Sequence, residues 1–271
     1  MDYKTALQCA TLSQEVYQSF SSIKFSEWGQ LRPKLIEKKS TDTQLAILED
    51  PAQQLAIIVV RGSDSEQDWN TNIRFGQDSY DWSPQEKEEY REQMQEVTQT
   101  VAEEKDLIYP DTYAAKSDNP ARMHRGFVEA YLSVRDDVHR YITESLQKGG
   151  ATHYRITGHS LGGAVATLCA VDLQYNFGEQ ITLEAYTFGS PRVGNQAFVD
   201  SYNRRMPDTW RVVNGWDAVV GVPAPWQGYW HVDKDIKLAR RFTWRIVTGS
   251  FKDHIIANYI DALKAMINET P

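Results

Sequence analysis

Apolar residues along the chain follow two periods, which predict strands and helices in alternation. Residues 55–60 read Leu-Ala-Ile-Ile-Val-Val, a continuous apolar run expected of a strand buried on both faces of a parallel sheet. Residues 126–148 carry apolar positions at helical spacing and end at two glycines, which predicts an amphipathic helix. The pattern predicts further strands at about 44–48, 153–157, 182–188, 209–213, 229–232 and 242–247. It predicts helices at about 5–19, 195–205 and 254–267, and a further helix that begins after residue 162 and ends at about residue 175. This alternation indicates an α/β fold whose mostly parallel sheet has helices on both faces.

Residues 77–120 differ from the rest of the chain and predict a helical insertion. A helix is expected from Ser83 to about Asp106, because Ser-Pro-Gln-Glu at its start is a capping signature. This helix is highly charged and has one narrow apolar stripe, formed by Tyr90, Met94, Val97 and Val101. The stripe must be buried, either against the core or over the entrance to a site. We expect it to cover the entrance.

The length of 271 residues suits one large domain, and we predict a single domain over 1–271. The formal net charge is −8, from 37 acidic and 29 basic residues, which argues against a nucleic-acid partner because phosphate contacts need a basic face. No window approaches 18 apolar residues, so no transmembrane segment is expected. The oligomeric state cannot be predicted from this pattern.

The two cysteines, Cys9 and Cys169, lie within apolar helical patterns and are expected to be small buried side chains rather than a disulfide framework. Residue 1 is followed by neither a long apolar region nor an Ala-x-Ala cleavage site. These two features predict a cytoplasmic protein, peripheral to membranes or lipid droplets at most.

Residues 158–162 read Gly-His-Ser-Leu-Gly and are the most informative segment. An apolar strand precedes this turn and a helix of small residues follows it, the setting in which Ser160 would be a nucleophile above the end of a sheet. The following helix would direct its N-terminal N–H groups at developing negative charge. A phosphate-binding loop would need a lysine that is missing here. A glycine-rich connection without chemistry is the remaining alternative.

A serine nucleophile needs a base and an acid, which follow it in the order Ser, Asp, His in this type of fold. Asp217 is the predicted acid because it closely follows a strand, whereas Asp200 and Asp208 precede that strand. His254, between the last strand and the last helix, is the predicted base, with His231 as its competitor. The other histidines are poor candidates, since three precede the serine and one adjoins it: His124, His139, His153 and His159.

Several segments, taken together, resemble the class 3 lipases, whose best-known members are triacylglycerol lipases of filamentous fungi. The matching segments are residues 59–63 (Val-Val-Arg-Gly-Ser), Trp69, residues 123–127 (Met-His-Arg-Gly-Phe), residues 157–164, residues 188–195 (Phe-Gly-Ser-Pro-Arg-Val-Gly-Asn), residues 211–214 with Asp217, and Asp253 and His254 followed by Tyr259. The resemblance implies an α/β-hydrolase fold with Ser160 as nucleophile, Asp217 as acid and His254 as base. It also implies an oxyanion hole from Ser63 and Leu161.

The resemblance further implies a lid over about residues 64–76, in which Trp69 would cover the site unless it is a packed turn residue. Residues 189–195 are expected to shape a turn rather than to take part in chemistry. The chain departs from the fungal enzymes in its insertion at 77–120 and in Trp216 next to the acid, and it is expected to differ from them in being neither secreted nor disulfide-bonded.

These observations predict a lipase-type ester hydrolase that forms an acyl-enzyme on Ser160 and needs neither a metal nor an organic cofactor. Residues 219–226, among them Val219 and Val222, are expected to form an apolar wall for the acyl chain, although an apolar loop packed in the core would show the same sequence. Trp216 is expected to narrow the site. The predicted substrate is a lipid ester, and a lipid–water interface is one place where the protein would meet it. Triacylglycerol, monoacylglycerol, phospholipid and galactolipid remain open, and so does a non-catalytic binding module of the same fold.

Overall fold

A seven-stranded sheet lies at the centre of the computed structural model, which describes residues 1–28, 33–62, 107–108, 120–232, 234–238 and 251–269. In chain order the strands are β1 (Lys34–Lys38), β2 (Thr43–Asp50), β3 (Leu55–Val60), β4 (Leu107–Ile108), β5 (Met123–His124), β6 (His153–His159), β7 (Thr182–Phe188), β8 (Thr209–Asn214) and β9 (Asp235–Leu238). The sheet order is β1-β2-β3-β6-β7-β8-β9, and β4 and β5 form a separate pair. β1, β2 and β3 are antiparallel, whereas β3, β6, β7, β8 and β9 run parallel.

Helices cover both faces of this sheet. They are α1 (Tyr3–Glu15), α2 (Arg125–Gln147), α3 (Leu161–Phe177), α4 (Gln196–Arg205), α5 (Phe251–His254) and α6 (Ile256–Glu269). Because successive side chains of a strand point to opposite faces, Ala56 and Ile58 of β3 join the apolar cluster of α2 and α3. Ile57 and Val59 join the opposite cluster, which includes Leu12 of α1. β3 is therefore buried on both faces, as its apolar run predicts.

The parallel strands place four connections at one edge of the sheet. β3 leads to Gly62, β6 leads to Ser160, β7 leads to Gly189 and β8 leads to Asp217. Carboxyl ends of neighbouring parallel strands share one edge, where ligand sites of open α/β sheets are found. The candidate site is formed by this edge and by the segment around His254.

Most predicted elements are confirmed, but the region after β8 is not. A strand at 229–232 is wrong: in this range only an isolated bridge joins Trp230 to Gly194. Proline at 223 and 225 and a left-handed Gly228 turn the backbone there. The sheet is extended instead by β9, which pairs with β8.

Some predictions fall where the structure gives no description. The strand at 242–247 lies outside the described residues, and so does the insertion at 77–120 apart from Leu107, Ile108 and Pro120. β4 begins at Leu107, one residue past the end expected for the insertion's helix. Whether that helix covers an entrance stays a prediction.

Candidate active site

Ser160 lies on a sharp turn between β6 and α3, with backbone angles of φ 57° and ψ −129°. A non-glycine residue in such a region costs on the order of 1–3 kcal/mol and persists only where surrounding contacts impose it. Two backbone hydrogen bonds hold the turn, from Ser160 N to Phe188 O (2.9 Å) and from Gly163 N to Ser160 O (2.9 Å). The serine hydroxyl is thereby presented at the carboxyl edge of the sheet.

Two glycines make this turn possible. A Cβ atom on Gly158 would collide with the backbone of Gly162, and one on Gly162 would collide with the carbonyl oxygen of Val60. The same Cβ on Gly162 would lie 3.0 Å from the backbone nitrogen of Gly62. The nucleophile turn is therefore packed against the chain from the end of β3 to Gly62.

The structure brings Ser160, Asp217 and His254 together as the sequence predicts. His254 Nε2 is 2.8 Å from Ser160 Oγ, and His254 Nδ1 is 2.8 Å from Asp217 Oδ2. Because a carboxylate only accepts, Nδ1 carries the hydrogen, which leaves Nε2 to accept from the serine hydroxyl. The three residues are 3%, 6% and 0% exposed, so the chain of hydrogen bonds is shielded from water. Such a chain can take a proton from the serine as it attacks a carbonyl carbon.

Two further donors fix the Asp217 carboxylate. Oδ1 accepts a hydrogen bond from Val219 N (2.9 Å), and Oδ2 accepts one from the Tyr259 hydroxyl (2.5 Å). Burial, followed by the charge of Asp217, raises the pKa of Tyr259 well above its usual value, so its hydroxyl remains a donor. Tyr259 is one of the residues that carry the resemblance, but the sequence does not reveal its contact with the acid.

Reciprocal hydrogen bonds tie the acid segment to the base segment. The Asn214 side chain donates to the carbonyl of Asp253 (3.1 Å), and the Asp253 carboxylate accepts from Trp216 N (2.8 Å). Gly215 has φ 49°, and a Cβ there would lie 2.5 Å from Asp253 Oδ2. The residue before the base thus positions the turn that carries the acid.

Gly189 has a direct part in the site that the sequence does not indicate. Its φ is 57°, and a Cβ atom there would lie 2.6 Å from Asp217 Oδ2 and 2.8 Å from His254 Nδ1. The expectation that residues 189–195 only shape a turn is therefore incomplete, because the missing side chain leaves space for the Asp–His hydrogen bond.

His159 lies beside the base rather than the nucleophile. Its Nε2 is 2.7 Å from the carbonyl oxygen of His254, and its Nδ1 is 3.1 Å from the hydroxyl of Tyr17. Burial, with a smaller contribution from His254, lowers the pKa of His159 well below its usual value. His159 is thus a neutral, buried imidazole.

The competing residues have other partners. His231 Nε2 donates to the carbonyl of Val220 (2.8 Å), and burial lowers its pKa to about 3. Asp200 accepts a hydrogen bond from Gln196 within α4. Three histidines lie in polar or aromatic contacts outside the triad: His139 with Asp172, His153 with Glu184, and His124 against Phe127 and Tyr229.

The remaining predicted site residues are placed only in part. Leu161 is the first residue of α3, next to the nucleophile. Ser63 and Trp69 lie outside the described residues. Trp216 is 64% exposed, Val219 is buried, and Val222 is half-buried with its carbonyl accepting from Arg192 N. The backbone N–H of Val219 also donates to Asp217, a contact that its expected role in an apolar wall does not predict.

In the described ranges, no group of three or more histidine, cysteine, aspartate or glutamate side chains is suited to a metal ion. Of the helices that the structure describes, none has both the length and the apolar character needed to cross a bilayer.

Comparison with solved structures identifies the fold. The lipase of Rhizopus microsporus var. chinensis superposes with a TM-score of 0.66 at 24% identity, over 87% of this chain and 74% of that one. The fold is therefore the α/β-hydrolase fold, with a mostly parallel central sheet and helices on both faces.

Two sequence relatives are fungal proteins. The secreted mono- and diacylglycerol lipase 1 of Fusarium solani is 28% identical over 70% of this chain and 45% of its own length. The secreted mono- and diacylglycerol lipase MDL2 of Malassezia globosa is 31% identical over 49% of this chain and 44% of its own length. The chain thus spans somewhat less than half the length of these relatives.

The expected cytoplasmic location is wrong by this comparison, because both relatives are named secreted proteins. The cysteines misled the prediction. Cys9 and Cys169 are buried thiols, and a chain of this size can bury enough apolar surface to fold without disulfide bonds, so a low cysteine count does not report the compartment.

Residues 57–226 match the family model described as "Lipase (class 3)". This range extends from β3 through the nucleophile turn to beyond Asp217, and it covers more than half of the chain. The chain belongs to the class 3 lipase family.

Proposed function

We propose that this chain is a lipase-type hydrolase that cleaves acyl esters of glycerolipids through an acyl-enzyme on Ser160. The observation that carries the proposal is the position of His254, within 2.8 Å of both Ser160 Oγ and Asp217 Oδ2. A serine hydroxyl becomes nucleophilic when a base accepts its proton and an acid orients that base. We also propose that residues 1–271 form a single domain.

In the first step Ser160 Oγ attacks the ester carbonyl carbon while its proton passes to His254 Nε2. Asp217 holds the hydrogen on Nδ1 and stabilises the imidazolium that forms. The tetrahedral intermediate then expels the alcohol, which takes the proton from Nε2. Water attacks the acyl-enzyme in the second step, gives its proton to His254, and releases the fatty acid together with the free serine.

The negative charge on the carbonyl oxygen needs donors at the edge of the sheet. The backbone N–H of Leu161 is one proposed donor, since it directly follows the nucleophile at the start of α3. Ser63 is the second proposed donor. The approach of Gly62 to Gly162 supports this assignment, because it brings the end of β3 next to the nucleophile turn.

The substrate is proposed to be a glyceride with a long acyl chain. Both named relatives are mono- and diacylglycerol lipases, which supports a glycerol ester. Residues 216–230, which include Asp217, expose three large apolar side chains: Trp216 at 64%, Trp226 at 88% and Trp230 at 46%. We assign Trp216, Val219 and Val222 to the region that contacts the acyl chain, and each methylene buried there would contribute about 0.8 kcal/mol.

Hydrolysis of p-nitrophenyl esters from acetate to palmitate, and of monoacyl- and diacylglycerol in micelles, tests this proposal. We expect kcat/KM to rise from acetate to octanoate, and we expect Ser160→Ala to lower turnover by about 10⁶-fold without unfolding the protein. His254→Ala should lose activity to a similar degree, whereas His231→Ala serves as the matched control and should keep most of it. Activity that survives Ser160→Ala would refute the nucleophile, and a preference for acetate would refute the lipid substrate.

A further inference from the structure

His159 and Tyr17 connect the segment after α1 to the main chain of the base. His159 is the last residue of β6 and is buried, yet its side chain makes no contact with a substrate position in the proposed mechanism. Its Nε2 lies 2.7 Å from the carbonyl oxygen of His254. A carbonyl only accepts, so Nε2 must carry the hydrogen of the imidazole.

The other ring nitrogen of His159, Nδ1, has a hydrogen-bond donor as its partner. A neutral imidazole with its hydrogen on Nε2 has an acceptor at Nδ1, and the hydroxyl of Tyr17 lies 3.1 Å from that atom. Tyr17 therefore donates to His159, which donates to the carbonyl of His254. Burial lowers the pKa of His159 and keeps the ring neutral, which this one-donor, one-acceptor pairing requires.

The rings of the two histidines also lie against each other. Their centroids are 4.5 Å apart with an angle of 33° between the planes, and the ring of Tyr259 stands edge-on to His159 at 6.1 Å. The titratable groups around His159 are thus Tyr17, His254 and Tyr259, with Asp217 next to the latter two. Asp217 fixes the side chain of the base, whereas His159 holds its main chain and one face of its ring.

The base has a particular need for such support. His254 is the last residue of α5, a helix of only four residues. A small displacement of a catalytic group can cost about 10²-fold in rate. A donor that fixes the carbonyl of His254 therefore acts directly on the distance between Nε2 and Ser160 Oγ.

We propose that Tyr17 and His159 are positioning residues that hold His254 at its reaction distance through its backbone carbonyl. This inference rests on the proposed ester hydrolysis. It assigns a function to the second residue of the Gly-His-Ser-Leu-Gly turn and makes the segment after α1 part of the support of the active site. Since neither side chain takes part in the proposed binding or chemistry, their loss should lower kcat and leave KM unchanged.

Four variants test the inference with p-nitrophenyl butyrate. Tyr17→Phe removes only the hydroxyl and should lower kcat by about three- to tenfold, the effect of losing one hydrogen bond. His159→Leu should lower kcat by about 10- to 100-fold, whereas His159→Gln keeps a donor for the carbonyl and should recover most of that loss. The double variant Tyr17→Phe/His159→Leu should be no slower than His159→Leu, because Tyr17 acts through His159.

Tyr202→Phe is the matched control, since Tyr202 is a buried tyrosine whose hydroxyl bonds to Thr209 Oγ1 (3.0 Å) at the other end of β8. It should lose stability but no activity. The inference would be overturned by additive losses in the double variant, by a loss confined to KM, or by a Tyr17→Phe enzyme as fast as Tyr202→Phe. If His159→Leu does not fold, the kinetics of Tyr17→Phe and His159→Gln still decide the question. A wild-type protein that fails to hydrolyse the ester would instead refute the proposed function.

Discussion

Gly189 shows how an absent side chain can be required for chemistry. Replacement by alanine would place a Cβ 2.6 Å from Asp217 Oδ2 and 2.8 Å from His254 Nδ1, so the Asp–His hydrogen bond could not keep its geometry. We expect Gly189→Ala to lower kcat by up to about 10⁴-fold, the loss that follows when the acid of a serine triad cannot orient its histidine. Ester hydrolysis under saturating substrate measures it.

Gly149→Ala is the control for the backbone effect of that substitution. Gly149 also has a positive φ, 72°, but a Cβ there would meet nothing within 4 Å. Gly149→Ala should therefore lose stability through backbone strain while it retains full activity. Equal activity in the two variants would contradict the steric account of Gly189.

Asp253 is expected to act on the rate through the acid turn. Its carboxylate accepts the N–H of Trp216, next to Asp217. Asp253→Ala removes this acceptor and should lower kcat by about tenfold, whereas Asp253→Asn keeps an oxygen that can accept and should lose much less. Steady-state kinetics of the two variants distinguish an acceptor from a negative charge, because a requirement for charge would make both variants equally slow.

The sequence predicts Ser160, Asp217 and His254 because each has a local signature: a turn flanked by glycines, a position after a strand, and a position before the last helix. Gly189 and Asp253 lie in segments that carry the family resemblance, but that resemblance assigns them no contact with the three residues, and Tyr17 lies in none of those segments. Their importance depends on which residues of other segments lie opposite them in the fold, and this information is absent from local spacing. Ser63 as an oxyanion donor remains a prediction.

Helices α2 and α3 are joined by a buried polar cluster centred on Asp172. Its carboxylate accepts hydrogen bonds from the Tyr131 hydroxyl (2.6 Å), Arg135 Nε (3.0 Å) and His139 Nε2 (2.5 Å). Asp172→Ala would leave these donors without their acceptor, and we expect a loss of about 3–5 kcal/mol in the free energy of unfolding. Urea denaturation measures this loss.

The control is Asp200→Ala, which removes an exposed aspartate of α4 and should leave the free energy of unfolding nearly unchanged. A destabilisation of Asp172→Ala no larger than that of Asp200→Ala would show that the cluster adds nothing to the packing of α2 on α3.

Elements with strong periodicity, such as β3 and α2, were predictable, whereas the two outermost strands of the sheet, as far as the structure describes it, were not. β1 buries only Ile36 and carries lysine at both ends, so its apolar pattern is too weak to predict a strand. β9 has a similar pattern, with only Leu238 buried. Both strands form because a neighbouring strand offers its unpaired backbone, which is a property of the sheet and not of their own sequence.

Across the whole molecule, buried neutral histidine makes stability depend on pH. The pKa of His159 lies well below 6.5 in the folded protein, so from about pH 6.5 downwards the unfolded chain binds a proton that the folded chain does not. The free energy of unfolding should therefore fall as the pH is lowered through this range, with a contribution of up to about 1.4 kcal/mol per pH unit from His159. Urea denaturation between about pH 5 and 7 measures the slope.

In His159→Gln the slope should become shallower by that amount. The part that remains should include His231, whose pKa of about 3 gives the same sign over the same range. An unchanged slope in His159→Gln, or a protein that gains stability on acidification, would contradict a neutral His159.

The central claim is that the fold activates Ser160 through His254, and covalent labelling measures this most directly. The wild-type protein is incubated with a fluorophosphonate, and the modified residue is located by peptide mass spectrometry. We expect one adduct, on Ser160, whose rate of formation falls by orders of magnitude in His254→Ala and stays near the wild-type rate in His231→Ala. An unlabelled Ser160, or labelling that is equally fast without His254, would contradict the account.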